Sequence, residues 1–280
     1  MTKQTKIALI GAGQMGGALA KGWLRDGTDV LSPSDLVIID PSPSEDVEAL
    51  ISEHKLAHHQ AMTLKLAPQV RSIVLAVKPA MIEKVAEYLA PALHADTMVI
   101  SIMAGITLKR LTELFGDRPI IRAMANTPSA VGAGISVCVS NPAAEDREDE
   151  ASALLRVAGE VEWIRDERMM GAVTALSGSG PAYVFLLAEA LEGAGFGEGM
   201  PRELAEKLAR HTIIGAGALL AASDKTPQEL RRAVTSPNGT TQAALDVLMG
   251  SGGGLPELVR MAVNAAERRS RQMGADSEKG

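Results

Sequence analysis

The 280-residue chain has one cysteine and few rings: two Trp, two Tyr and three Phe. A lone Cys138 excludes both an intrachain disulfide framework and a thiolate metal cluster. It lies in the apolar run GISVCVS, where the expected role is a small buried hydrophobe in a strand, not a reactive thiol. With aromatics at 2%, the core must rely on aliphatic interdigitation with Met as gap-filler, and a base-stacking nucleic-acid surface lacks the rings it needs. A basic excess is missing too. The 28 Lys and Arg face 34 Asp and Glu, and the net charge of −6 removes the positive footprint that a phosphate backbone requires.

Other signals are absent as well. The five histidines, His54, His58, His59, His94 and His211, lie in no motif with an orienting partner. HKLAHH reads as solvated surface because no cluster completes a metal site, and His211 as a packing or surface residue. MTKQTK enters a short apolar run that stops at a glycine turn, without the length or cleavage pattern of a signal peptide. The uncharged stretch 169–188 is about long enough to span a bilayer. SGSGP interrupts it and would break a helix at mid-depth, so a buried core segment is expected. These readings imply no membrane partner, and the composition suits a reducing cytoplasm.

What is present divides into two rhythms. Hydrophobic residues make up 46% and charged residues 22%, the balance of an ordinary globular chain. KIALIG (6–11), LVIID (36–40), LAHH, SIVLAV (72–77), TMVISI (97–102), PIIRAM (119–124), GISVCVS and VEWI read as strands. Helices are expected over QMGGALAKGWLRDG ending at Gly27, and near 45–54, 61–67, 80–90, 107–115 and 143–159. The strand runs are continuous rather than alternating, as in a parallel sheet covered on both faces, and the class is α/β. After Arg165 the strand signal stops. Helices are expected over 181–195 and 200–223, both opening at a Pro, and over 227–235, 240–249 and 255–273. The predicted domains are therefore 1–165 and 166–280. Gly215 and Gly217 inside a long helix cost stability unless another helix approaches closely, which predicts a second subunit against this half.

IGAGQMGGALA supplies Gly11, Gly13 and Gly16 as G-x-G-x-x-G directly after the first strand and opening a helix. The first glycine permits the tight turn and the second the approach of a pyrophosphate to a helix N-terminus. The third allows close helix–strand packing. This is a Rossmann-type dinucleotide-binding start. Asp40 ends the second strand where an acidic residue bonds an adenosine ribose; it also suits the start of the PSPS turn. No Lys or Arg occurs between Arg25 and Lys55, which favours NADH over NADPH, although Ser42, Ser44 and backbone amides remain able to receive a phosphate. AVKPAM (76–81) and MANTPSA (124–130) leave strand C-termini, where an open α/β sheet binds its ligand. Lys78 there is either a ligand to the cofactor's ribose or phosphate region or a solvated lysine.

GAGQMG, AVKP, MANTP, ALSGSGPAY and TSPNGTT, in that order, resemble the pyrroline-5-carboxylate reductase family over nearly the whole chain. The resemblance implies NAD(P)H-dependent reduction of the cyclic imine 1-pyrroline-5-carboxylate to L-proline. It also implies an N-terminal dinucleotide-binding domain and a C-terminal all-helical dimerisation domain, in a homodimer or a larger homo-oligomer such as a decamer. By motif, Gly11, Gly13, Gln14, Met15 and Gly16 would hold the pyrophosphate. Ala76, Val77, Lys78, Pro79 and Asn126 would line the ribose and nicotinamide side, with Asp40 on the adenosine ribose. The segment 177–181, with Ser179, would approach the nicotinamide and substrate. Ser236, Asn238, Gly239, Thr240 and Thr241 would bind the substrate, its carboxylate on backbone amides, with the Thr241 hydroxyl near the imine nitrogen. Many members have MPNTP where this chain has Ala125, and SPGGTT where it has Asn238. The second change is mild, since Asn tolerates positive φ.

The absence of strong acids and bases from these motifs suits the chemistry. A basic imine can arrive already protonated, so a strong buried acid is not obligatory, and the protein is left to position and stabilise charge. Two rival readings stay open. A 3-hydroxyacid-type dehydrogenase would want a catalytic lysine early in the helical half, and no lysine lies between Arg165 and Glu206. A non-catalytic NAD(P)-binding redox sensor would not need intact SGSGP and TSPNGTT loops.

Overall fold

The computed structural model describes residues 5–25, 27–28 and 30–278. Residues 1–4 of the MTKQTK reading, and Asp26 in the expected first helix, lie outside these. Long runs of Val, Ile and Leu form the strands β1 Lys6–Ile10, β2 Leu36–Ile39, β3 Ala57–His59, β4 Val70–Leu75, β5 Met98–Ser101, β6 Ile120–Met124, β7 Gly134–Ser140 and β8 Gly159–Trp163. They make one sheet in the order β3-β2-β1-β4-β5-β6-β7-β8. Helices α1 Gln14–Trp23, α2 Glu45–His54, α3 Ile82–Leu89, α4 Leu108–Phe115 and α5 Glu148–Arg156 connect and cover it. Two apolar clusters cover the sheet, one built around Trp23, Ile38 and Leu155, the other around Ile73, Leu111 and Phe115. Each such fully buried aliphatic side chain is worth about 1.5–3 kcal/mol against exposure. Trp23 also satisfies its ring N–H on the Leu154 carbonyl at 2.7 Å, which ties α1 to α5.

Four sequence expectations change along this part of the chain. The sheet is mixed, because β7 pairs antiparallel to β6. Residues 125–133 between them hold only a short 3₁₀ turn, Thr127–Val131, too little chain for a parallel crossover. No α-helix forms at 61–67; Thr63 caps a turn instead (Leu66 N–H to Oγ1, 3.2 Å), and Pro68 lies in the 3₁₀ turn Ala67–Gln69. Helix α1 ends at Trp23 rather than Gly27, with the Thr28 hydroxyl within hydrogen-bond distance of the Arg25 carbonyl at 2.6 Å. The charged segment 143–159 is likewise shorter, a 3₁₀ turn Pro142–Arg147 followed by α5.

Beyond β8 come α6 Met170–Val173, a π-turn Thr174–Gly178, α7 Gly180–Gly197, α8 Arg202–Ala221, α9 Pro227–Ala233, α10 Thr240–Leu248 and α11 Leu255–Ser277. Packing divides the chain into a first unit, reaching Gly178 and taking in the segment from Ala266 onward, and a second unit, Ser179–Ala265. The strands stop at Trp163, where the sequence pattern placed its boundary, while packing continues with the first unit as far as Gly178.

The SGSGP segment does not break the helix as expected. The π-turn takes Ser177 and Gly178, Ser179 is the N-cap of α7, and Pro181 takes an early helical position there, where its missing N–H costs nothing. The resulting helical run Glu167–Gly197 is long and apolar enough to cross a membrane by length and composition. It is not the buried core segment expected: α7 has no buried residue, and Phe185 and Leu186 stand 68% and 63% exposed. In the second unit α7 packs chiefly on α8, with Gly195 admitting Ala205. Among the described residues Gly215 and Gly217 have no neighbour within 4 Å of a Cβ, so no described helix explains them.

Candidate active site

The glycine loop shows three separate physical requirements. Gly11 has φ +90, and a Cβ there would stand 2.8 Å from Val77 Cγ1. At Gly16 a Cβ would fall 2.2 Å from the Gly11 carbonyl oxygen, so α1 can lie against the turn only without a side chain. Gly13, by contrast, meets nothing within 4 Å. It is the N-cap of α1, which has no side-chain cap and no acidic residue in its first turn. Exposed N–H groups and a positive helix end therefore face open space at Gly13, Gln14 and Met15, a cradle that fits a pyrophosphate.

Asp40 stands at the end of β2 and takes the turn-starting role that the sequence allowed. Its carboxylate accepts the Ala12 N–H at 2.6 Å and the Ser42 N–H at 2.8 Å, latching the glycine loop and turning the chain after β2. Each oxygen keeps a second lone pair for a ribose hydroxyl. His58, read from sequence as solvated surface, is exposed, yet its Nε2 lies 2.8 Å from the Asp40 carbonyl oxygen.

Asp40, Gly11, Gly13, Ala76, Val77 and Lys78 line one cleft of about 420 Å³. Gln60, Lys84 and Tyr88 share it, and the sequence reading missed all three. The signal was there: Met81, Lys84, Val85 and Tyr88 fall at i, i+3, i+4 and i+7, one face of a helix, although finding it required knowing which face met the strand ends. The premise that no cation stands near Asp40 holds along the segment 26–54 but not in space, since two lysines enter its cleft. Pro79 lies just beyond, opening the turn into α3.

Asn126 leaves β6 and bridges two elements. Its Oδ1 accepts the Ile135 N–H at 3.0 Å, and its Nδ2 donates to Ser177 Oγ at 3.3 Å in the π-turn. A Cβ on Gly178 would come within 2.3 Å of Met124 Cε, so the same turn is pressed onto β6. Cys138 is wholly buried in β7, and burial pushes its thiol up to about 12, which keeps it inert.

In the second unit Ser179 is the N-cap of α7. The 234–241 loop joins α9 to α10. Asn238 takes φ +57, the left-handed conformation that Asn tolerates. Gly239 closes the turn onto the Ser236 carbonyl at 3.1 Å, and a Cβ on it would strike Ser236 Oγ at 2.4 Å. The helix cap is Gly239, and no side chain caps α10. Thr240 and Thr241 are its first two helical residues, their N–H groups pointing out of the helix start; Thr240 is exposed and Thr241 half-buried.

A sheet with the G-x-G-x-x-G cradle at its strand ends, followed by a helical unit with an exposed apolar surface, defines an NAD(P)-dependent oxidoreductase that assembles through its helices. Residues 167–273 match the pyrroline-5-carboxylate reductase dimerisation family, and residues 6–105 match the family described as NADP oxidoreductase, coenzyme F420-dependent. The chain belongs to the pyrroline-5-carboxylate reductase family. It is 37% identical to the pyrroline-5-carboxylate reductase of Pseudomonas aeruginosa over 96% of both chains, and 37% identical to that of Pisum sativum over 95% of both. Among solved structures, the pyrroline-5-carboxylate reductase of Coxiella burnetii superposes with a TM-score of 0.87 at 33% identity, covering 97% of this chain and 99% of that one. The Plasmodium falciparum pyrroline carboxylate reductase, solved with NADP bound, gives 0.79 at 31% identity, covering 98% and 100%.

Proposed function

We propose that this chain reduces 1-pyrroline-5-carboxylate to L-proline with NAD(P)H, the last step of proline biosynthesis. The observation that carries the reading is a pair of uncapped helix starts in a chain of this family, one at Gly13 and one at Gly239. When bound, the reduced nicotinamide supplies the hydride that C=N reduction needs. The N–H groups of the Gly11–Gly16 loop hold the pyrophosphate, and Asp40 accepts from the adenosine ribose. Ala76, Val77, Lys78 and Pro79 line the cofactor, and Asn126 holds Ser177 beside it. At α10 the N–H groups of Thr240 and Thr241 bind the substrate carboxylate without a cation. Ser236, Asn238 and Gly239 shape that turn, Ser179 adds a hydroxyl, and the Thr241 hydroxyl orients the imine nitrogen. No strong acid is required, because the substrate brings its own proton on nitrogen.

The working assembly on this reading is a homodimer, or a larger homo-oligomer such as a decamer, in the cytoplasm. Asp40 favours NADH through the ribose hydroxyl, while Lys78 and Lys84 favour a more negative cofactor. The test is oxidation of NADH and NADPH on adding 1-pyrroline-5-carboxylate, with 3-hydroxyacids in the reverse direction as controls. Turnover of the imine alone is expected. Turnover of 3-hydroxyacids instead, or nucleotide binding without turnover of either, would overturn the reading.

A further inference from the structure

The adenosine cleft is asymmetric in how its charges are used. Asp40, its carboxylate, has each oxygen engaged by one backbone N–H, Ala12 of the glycine loop on one and Ser42 of the turn after β2 on the other. Of the three charged residues on α3, Glu83 pairs with Arg110, and Glu87 does not line the cleft; Lys84 does. Neither Lys84 nor Lys78 makes an ion pair among the described residues, so the cleft holds two uncommitted cations against one committed carboxylate. The rest of the wall around Lys84, including Ile39, Pro41, Ala61, Val85 and Tyr88, is apolar enough for a purine ring. A free ammonium beside an adenosine pocket, with no counter-charge from its own chain, suits an anion carried by the ligand.

We propose that Lys84 is a specificity-determining residue for the cofactor: its ammonium meets a 2′-phosphate on the adenosine ribose, so that the chain takes NADPH despite Asp40. The inference rests on the dinucleotide reading above. Asp40 then acts as the latch of the glycine loop, and the cation that the segment after β2 lacks comes from α3 instead. A phosphate–ammonium contact of this kind, partly exposed, is worth about ten-fold in affinity and weakens as salt is raised.

The test is a titration of the full-length protein with adenosine 2′,5′-bisphosphate and with 5′-AMP, by calorimetry, for the wild type, Lys84→Gln and Lys84→Ala. The wild type is expected to prefer the bisphosphate, with a preference that falls between 50 and 500 mM salt, a range of about one Debye-length halving or more. Both variants should lose about ten-fold for the bisphosphate and leave 5′-AMP within two-fold. Equal losses for both compounds, or no loss, would overturn the role of Lys84 while leaving the cofactor reading intact. Binding of neither compound by the wild type would overturn the cofactor reading, and the proposal with it.

Discussion

Helices α1 and α10 both begin at a glycine N-cap, without a side-chain cap and without an acidic residue in the first turn. Their surroundings are opposite. Helix α1 buries Gly16, Ala18, Leu19, Ala20, Gly22 and Trp23 against its own sheet, whereas α10 buries none of its residues. The same local device is thus held rigidly by one fold and left on an open helical array by the other. Preorganisation at the first site comes from the chain itself. At α10 the chain itself buries nothing, and the helix lies within the stretch that matches the pyrroline-5-carboxylate reductase dimerisation family.

The largest test of that contrast is Phe185→Glu, which puts a charge on the exposed face of α7. Association should weaken by on the order of 100-fold or more, since an apolar anchor is lost and a carboxylate must be desolvated. Sedimentation velocity at micromolar protein reads this directly, and a variant that stays associated would mean that α7 is not the covered face. Next in size, Gly16→Ala should cost about 1–3 kcal/mol of stability, because its Cβ collides with the Gly11 carbonyl. Gly13→Ala should change the urea midpoint far less while reducing dinucleotide affinity, because its Cβ would meet nothing among the described residues within 4 Å and would stand in the proposed pyrophosphate cradle. Denaturation and cofactor titration of the two variants together separate packing from binding.

At the second helix start, Thr241→Ala should lower kcat/KM by about 10–100-fold and Thr240→Ala by about two-fold, as for loss of a hydrogen bond to a charged group against loss of an exposed hydroxyl. Equal, near-wild-type activity in both would remove Thr241 from its role. The smallest effect concerns acid. Burial pushes the Glu150 carboxyl up, but hydrogen bonds from Arg71, Arg147 and Ser72 outweigh it, and the net position lies below its ordinary 4.5. A lowered folded-state value gives stability that is present above 4.5 and is lost as pH falls through the folded value. The urea midpoint of Glu150→Gln should therefore lie below wild type at pH 7 and converge on it below about pH 4.5.

Much of the first unit was legible because its signals are local. A glycine spacing after an apolar run carries its own geometry, and so do Asp40 at a strand end and Pro79 and Pro181 at helix starts. Asn238 in the left-handed region was likewise readable from the residue type. Strand direction was not, since GISVCVS looks the same in either orientation and only the short connection before it forbids a crossover. Lys84 stayed hidden because an exposed lysine acquires meaning only from what shares its cleft. SGSGP misled in a third way: Gly and Pro normally interrupt a helix, and here a π-turn takes Gly178 while Pro181 sits in the first turn of α7.

The tail of α11 has a consequence for the order of events in synthesis. Residues from Ala266 onward pack with the first unit: Met273 touches Gly105, Glu278 pairs with Lys109 at 3.0 Å, and Glu267 lies against Gly171. The first unit is therefore assembled from two segments far apart in the sequence, one reaching Gly178 and one from Ala266 onward. A ribosome emitting this chain at about 5–20 residues per second has to pass the whole second unit, Ser179–Ala265, before the contacts of the first can be complete.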